Sequence, residues 1–378
     1  MKVYLDYSAT TPLAPEVKQA LHTFLEETFG NPSSPHRFGQ RAKIVLEETR
    51  DLLAARLQCL PREIVFTSGG TESNNLALIG AATANRSQGN HLIISALEHA
   101  SVLASARTLE KSGFDITWLE SDSGGVIAAG AVEAQLRPST ILVSVMHVNN
   151  ETGVINPVKE IAELCRDRGI LYHIDAVQAF GKIPVSLADI PAALASLSAH
   201  KIYAPKGVGA LFIRQGAAFD AILHGGPQEA NRRPGTENMP GIAGFGAALH
   251  LPDNSIAEAE RILGLQKYFE HRLMEWIPDC QIIGWNSPRS PYISNISFPG
   301  LSNESLLLNL DLAGIAASAG AACSSGSLRQ AHVLKAMRLP DHVINGAVRF
   351  SFGRFTTMAE IDYTLSALKE IWQRLAGK

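Results

Sequence analysis

From about residue 63 the chain alternates short, nearly uninterrupted apolar runs with stretches of helical spacing: EIVFTSG, HLIISALEH, FDITWLE, ILVSVMHVNNE, ILYHIDAVQ, LASLSAHK and GVGALFIR. A strand without polar alternation is buried on both faces, and that is the environment of a largely parallel sheet covered by helices. The pattern predicts an α/β architecture. Many runs end in polar or small residues (TSGGTES, EH, NNE, DAVQ, SAHK). Ligands in open parallel sheets bind just beyond the carboxyl ends of strands, so these ends are expected to converge on one crevice.

The flanks read differently. APEVKQALHTFLEETFG has helical spacing and a closing Gly30, and the turn sequence NPSSPH follows. After GVGALFIR come a long amphipathic helix over 255–273, strand-like YISNISF and VRFSFGR, and a last helix opened by Thr357 and Glu360 in capping-box spacing. This order predicts a large α/β domain over 15–253 and a smaller α+β domain formed by 1–14 and 254–378.

A net charge of −3 without Lys/Arg runs argues against nucleic-acid and membrane-surface partners and points to small molecules or other proteins. MKVYLDYSATTP lacks a signal-like apolar stretch, and no segment approaches the ~18 apolar residues of a membrane span, so the cytoplasm is the expected location. Cys59, Cys165, Cys280 and Cys323 are scattered without CxxC spacing, which suggests neither a disulfide framework nor a metal site. The first three sit where a small apolar side chain fits and read as filler. Cys323, in AASAGAACSSGS, has no apolar face to pack.

The strand ends carry the chemistry. Lys201 in LSAHKIYAPKG, flanked by Ser198 and His200, is either a solvated lysine or a desolvated amine suited to Schiff-base formation. Asp175 in YHIDAVQAF, three residues before Gln178, is either a helix cap or a carboxylate for a pyridine nitrogen. FTSGGTESNN is neither GxGxxG nor a Walker loop. Gly69, Gly70 and Thr71 nonetheless open a helix as an ordinary cap or a phosphate cradle would. His99 follows a strand and could stack on a flat cofactor or exchange protons. Asn149 and Asn150 are turn formers or donors to a cofactor oxygen, and Thr236 in GPQEANRRPGTEN is a phosphate contact or part of a loop.

Taken together, YLDYSATTP, FGNPSSPH, FTSGGTESNNLAL, EHASVL, VNNETG, HIDAVQAFGKIP, SAHKIYAPKGVGALF, RRPGTEN, ACSSGS and FSFGRFTT resemble, nearly end to end, the motif series of the NifS/IscS-type cysteine desulfurases of the class V aminotransferase superfamily. The resemblance implies a fold-type I pyridoxal phosphate enzyme that works as a homodimer. By motif, Lys201 carries the cofactor, Asp175 pairs with the pyridine nitrogen, Gln178 and Asn150 lie by the ring oxygen, and His99 stacks on the ring. Gly70, Thr71, Ser198 and His200 would contact the phosphate, with Thr236 reaching across from the partner subunit. Arg349 would hold the substrate carboxylate; without the resemblance it reads as a solvated strand arginine. Cys323 would take sulfur from L-cysteine as a persulfide, releasing alanine, and pass it to a protein acceptor such as an iron–sulfur scaffold. His99 is the candidate for deprotonating the substrate thiol.

Two departures stand out. Ala319 and Ala321 replace serines common in relatives, and no C-terminal extension of the kind some relatives dock with is present, which leaves the acceptor open. The long form of the cysteine loop favours the NifS/IscS-like group, and its small residues predict a segment able to move. Selenocysteine lyase, cystine lyase, aminotransferase and non-catalytic scaffold remain as alternatives.

Overall fold

The computed structural model describes residues 1–251, 255–277, 279–320 and 332–375; Cys323 and the movement expected of its segment lie outside the described residues. Twelve strands are formed among those residues: β1 (Val3–Tyr4), β2 (Ile64–Thr67), β3 (His91–Ser95), β4 (Asp115–Leu119), β5 (Thr140–Ser144), β6 (Leu171–Asp175), β7 (Leu194–Ser198), β8 (Gly209–Ile213), β9 (Gln281–Ile282), β10 (Ile293–Ser297), β11 (Ile315–Ala316) and β12 (Ala347–Ser351). The seven apolar runs are β2 to β8, and they form one sheet in the order β2-β8-β7-β6-β5-β3-β4. Strands β2, β3, β5, β7 and β8 are buried along their whole length, while β4 at the edge begins with exposed Asp115.

Six strands run the same way, and β8 is antiparallel to both β2 and β7. The reason is chain length. Only residues 202–208 separate the turn after β7 from β8, too few for the dozen or so that a parallel crossover needs.

The remaining strands form a three-stranded antiparallel sheet, β12-β10-β9, and a parallel pair, β1-β11. Bridges Asp6↔Ser351 and Ser318↔Arg349 carry that pair onto β12. Here the core is aromatic: the Phe269 ring lies 5.1 Å from that of Phe350 and 5.7 Å from that of Phe352, and Val3 and Leu5 join the same cluster. Each buried ring of this kind contributes roughly 1.5–3 kcal/mol. Phe269 projects from the helix Ser255–Trp276, which runs a turn beyond the predicted end. Val333, Leu334, Met337, Val343 and Ile344 pack instead into the core against the large sheet.

Local signals in the sequence act as expected. The helix Pro15–Glu27 opens on proline. Thr357 and Glu360 form the reciprocal cap of the last helix, with Thr357 N donating to Glu360 Oε2 at 2.8 Å and Glu360 N to Thr357 Oγ1 at 3.3 Å. No described helix is long and apolar enough to cross a membrane.

Candidate active site

Strands β2, β3, β5, β6 and β7 point their carboxyl ends to one side of the sheet, so the segments that follow them meet there. The pocket they form, of about 170 Å³, is lined by Gly70, Thr71, His99, Asn150, Asp175, Gln178, Ser198, His200, Lys201 and Arg349. Thr236 stands apart, exposed in the loop after Arg233 and outside this lining. Asn149 is a turn former: its Oδ1 accepts from Glu151 N and Thr152 N, both at 2.9 Å, and its Nδ2 donates to Leu97 O at 3.0 Å.

Lys201 closes a single 3-10 turn after β7, and its Nζ donates to the carbonyls of Ser8 at 2.6 Å and Ala9 at 2.7 Å. Asp175 ends β6 and is 5% exposed. Its Oδ2 accepts from Asn74 Nδ2 at 2.8 Å and its Oδ1 from the Val177 amide at 3.0 Å. Glycine is required at position 69, where φ is +148°, and a Cβ at Gly70 would come within 2.9 Å of Val177 Cγ2. Backbone therefore approaches the pocket there without side chains in the way.

His99 caps the helix Ala100–Lys111, and its Nδ1 accepts the Ser101 amide at 3.2 Å. In the neutral ring the proton therefore sits on Nε2. Burial holds this imidazole below the ordinary histidine value, with Asp175 opposing and Lys201 and His332 adding to the effect. Burial, reinforced by Lys201, Lys206 and Lys182, likewise lowers His200 to about 3. Arg349, on β12, is 1% exposed; Nη1 donates to Asn150 O at 2.9 Å and Nη2 to Asp6 Oδ1 at 2.8 Å, while Nε is buried without a partner.

Several residues of this site were not anticipated. Asn74 carries a signal in retrospect, since a polar, poorly helix-forming side chain stands inside a helix, one turn past the glycines. Ser8 and Ala9 act through backbone carbonyls, which no side-chain pattern reveals. Glu98 is fully buried, accepts from Met146 N at 2.5 Å, and is held well above the carboxylate range by burial and by Asp175. It sits behind the pocket, hydrogen-bonded to the amide of Met146, a residue of the pocket wall. Burial pushes the Cys59 and Cys165 thiols up to about 12 and Cys280 to about 11, which fits filler and not thiolate chemistry. Among the described residues no group of His, Cys, Asp or Glu could hold a metal ion.

A family profile described as aminotransferase class-V matches residues 3–364, which sets the class as fold-type I enzymes dependent on pyridoxal phosphate. The chain is 45% identical over 375 residues to the cysteine desulfurase IscS of Dictyoglomus turgidum, covering 99% of this chain and 95% of that one. A solved NifS-like protein superposes with a TM-score of 0.92 at 34% identity, covering 99% of this chain and all of the other. A structure described as SspA in complex with cysteine gives 0.84 at 32% identity, over 94% of this chain and 100% of that one. The chain belongs to the class-V aminotransferase family and, within it, to the NifS/IscS-type cysteine desulfurases.

Proposed function

We propose that this chain uses pyridoxal phosphate to convert L-cysteine to L-alanine, with the sulfur taken onto Cys323 as a persulfide. The observation that carries this reading is the convergence of Lys201 and the buried Asp175 on one pocket beside the Gly69–Gly70 backbone. Those residues fit the cofactor: an amine for its aldehyde, a carboxylate for its ring nitrogen, and an uncrowded backbone cradle for its phosphate. Asn74 Oδ1 and Arg349 Nε, buried without partners, are further polar atoms available to bound groups.

When bound, the cofactor supplies an electron sink for cleavage of the substrate Cα–H bond. The protein does the rest. Lys201 would hold the cofactor and, once displaced by the substrate amine, move the Cα proton, and Asp175 would pair with the ring nitrogen. Gly70, Thr71, Ser198 and His200 surround the phosphate, with Thr236 supplied by the second subunit of a homodimer; its exposure away from its own pocket supports that assignment. Gln178 and Asn150 lie by the ring oxygen. His99, kept neutral by burial, would stack on the ring, and it can take the thiol proton at Nε2 once its ring proton has moved to Nδ1, where Ser101 Oγ at 2.7 Å can accept it. Arg349 binds the substrate carboxylate. The Cys323 thiolate attacks the substrate sulfur, so that an S–S bond forms as the C–S bond breaks and its electrons return toward carbon, leaving the alanine skeleton.

The SspA structure solved with cysteine supports the substrate. We place the reaction in the cytoplasm, with a protein acceptor such as an iron–sulfur scaffold receiving the sulfur. Residues 15–253 form the cofactor domain, and 1–14 with 254–378 the smaller one, from which the 333–344 segment packs back against the large sheet. Mass spectrometry after exposure to L-cysteine tests the central claim. The expected result is a gain of one sulfur, about 32 Da, on Cys323, and loss of alanine formation with retained cofactor absorbance in Cys323→Ala. Unchanged alanine release by Cys323→Ala would overturn the persulfide route in favour of a lyase.

A further inference from the structure

A lysine that this reaction does not use lies behind the pocket. Lys182 is 6% exposed, and its Nζ donates at 2.6 Å to Gln178 Oε1, four residues earlier in the turns that follow β6. Burying an amine is costly, so the contact it makes is informative. An ammonium only donates, which fixes the atom facing it as the amide oxygen and turns the amide nitrogen the other way. That nitrogen, Gln178 Nε2, donates to Ser8 O at 2.8 Å, and the same carbonyl accepts Lys201 Nζ. Reversing the amide would set two donors against each other at Lys182 and two oxygens against each other at Ser8. Both mismatches would be buried, where water cannot repair them.

We propose that Lys182 is a positioning residue: it locks the Gln178 amide so that its NH2 group, and not its oxygen, is offered to the ring oxygen of the cofactor. The inference rests on the functional reading above and adds to it the element that sets donor polarity at that edge. The surroundings of Lys182 agree. The Tyr292 ring centroid lies 6.0 Å from Nζ, while Glu260, Ile183 and Pro291 line with Lys182 a cavity on its other side. Burial first, then repulsion from Lys201 and Arg349, brings Lys182 down to about 7. A neutral amine can accept as well as donate, so the lock is strict only while Lys182 is charged.

The test is the pH midpoint of the absorbance change of the Lys201-bound cofactor, followed in intact holoenzyme alongside cofactor content and thermal stability. A donor at the ring oxygen affects that midpoint; the Lys182 charge acting directly on Lys201 would also move it, and the double variant separates the two because a direct charge effect persists without Gln178. Lys182→Met and Gln178→Leu are each expected to move it in the same direction by about one pH unit. The double variant should move it no further, and Lys182→Arg should keep the original midpoint. Additive shifts, or an unmoved midpoint in Lys182→Met, would overturn the proposal. Should Lys182→Met fail to fold, Lys182→Gln, which removes the charge and can accept as well as donate, takes its place: a shift that vanishes in the Gln178→Leu background supports the lock, and no shift, or one that persists there, overturns it. Absence of any cofactor chromophore in the unaltered protein would instead bring down the functional reading, and this inference with it.

Discussion

Asn74 ties Asp175 to Ser101: its one amide nitrogen lies 2.8 Å from Asp175 Oδ2 and 2.9 Å from Ser101 Oγ, and that hydroxyl lies 2.7 Å from His99 Nδ1. Asp175 and His99, the groups we propose for the ring nitrogen and the ring face, therefore share one support. Asn74→Ala is expected to lower kcat/KM at least about tenfold, since a hydrogen bond to a charged group contributes roughly 1.5–3 kcal/mol. Steady-state kinetics with cofactor content measured in parallel checks this; wild-type turnover would mean that Asp175 needs no help.

Arg349 reaches its pocket with both terminal nitrogens already engaged, by Asp6 and by the Asn150 carbonyl, and with Nε unpaired. Arg349→Lys keeps the charge but loses the planar fork that matches a carboxylate. The expected outcome is a rise in KM for L-cysteine of about tenfold or more with a smaller change in kcat. An unchanged KM would return this residue to a purely structural role.

Acid should destabilise the fold through buried imidazoles. Burial lowers His173 to about 3 and His147 to about 4; His173 is bracketed by Ser144 Oγ at 2.9 Å and Ser196 Oγ at 3.0 Å. Between those values and the ordinary histidine value of about 6.5 the unfolded chain binds protons that the folded chain does not, so stability rises with pH through that window. Their contribution is complete above about 6.5 and is lost as pH falls toward 3. Urea midpoints should fall between pH 7.5 and pH 5, and less steeply in His173→Gln; parallel profiles would assign the acid sensitivity elsewhere.

Gly70→Ala separates cofactor binding from folding. The added methyl would press on Val177 Cγ2 at 2.9 Å and touch Ser198 Cβ at 3.6 Å, both walls of the cradle. Cofactor affinity, followed by fluorescence titration, should fall by about tenfold or more, with a melting temperature near that of the parent. Equal loss of both would show the contact to be general packing.

Much of this was legible before any coordinates. Short apolar runs bounded by turn residues read as buried strands, and all seven became β2 to β8, although the equally apolar Met239–Leu249 forms a helix. The direction of β8 could not be read from its composition, because a two-face-buried strand has the same pattern either way; the short 202–208 connection held that information instead. Within the site, side chains at strand ends were readable because their placement is local. Asn74, Glu98 and Lys182 gain their meaning only from partners distant in sequence or from burial, and Ser8 and Ala9 contribute carbonyls common to every residue.

Those two carbonyls have a wider consequence. The segment that caps the Lys201 amine also supplies Asp6 to Arg349 and Thr10 Oγ1 to His200 Nδ1 at 3.1 Å, while its strand β1 is paired with β11, seven residues ahead of Cys323. The first eleven residues are thus a fixed floor beneath catalysis. Any rearrangement that lifts this floor would unseat Lys201, Arg349 and His200 in one movement, so that the seating of the first eleven residues and the competence of the pocket rise and fall together.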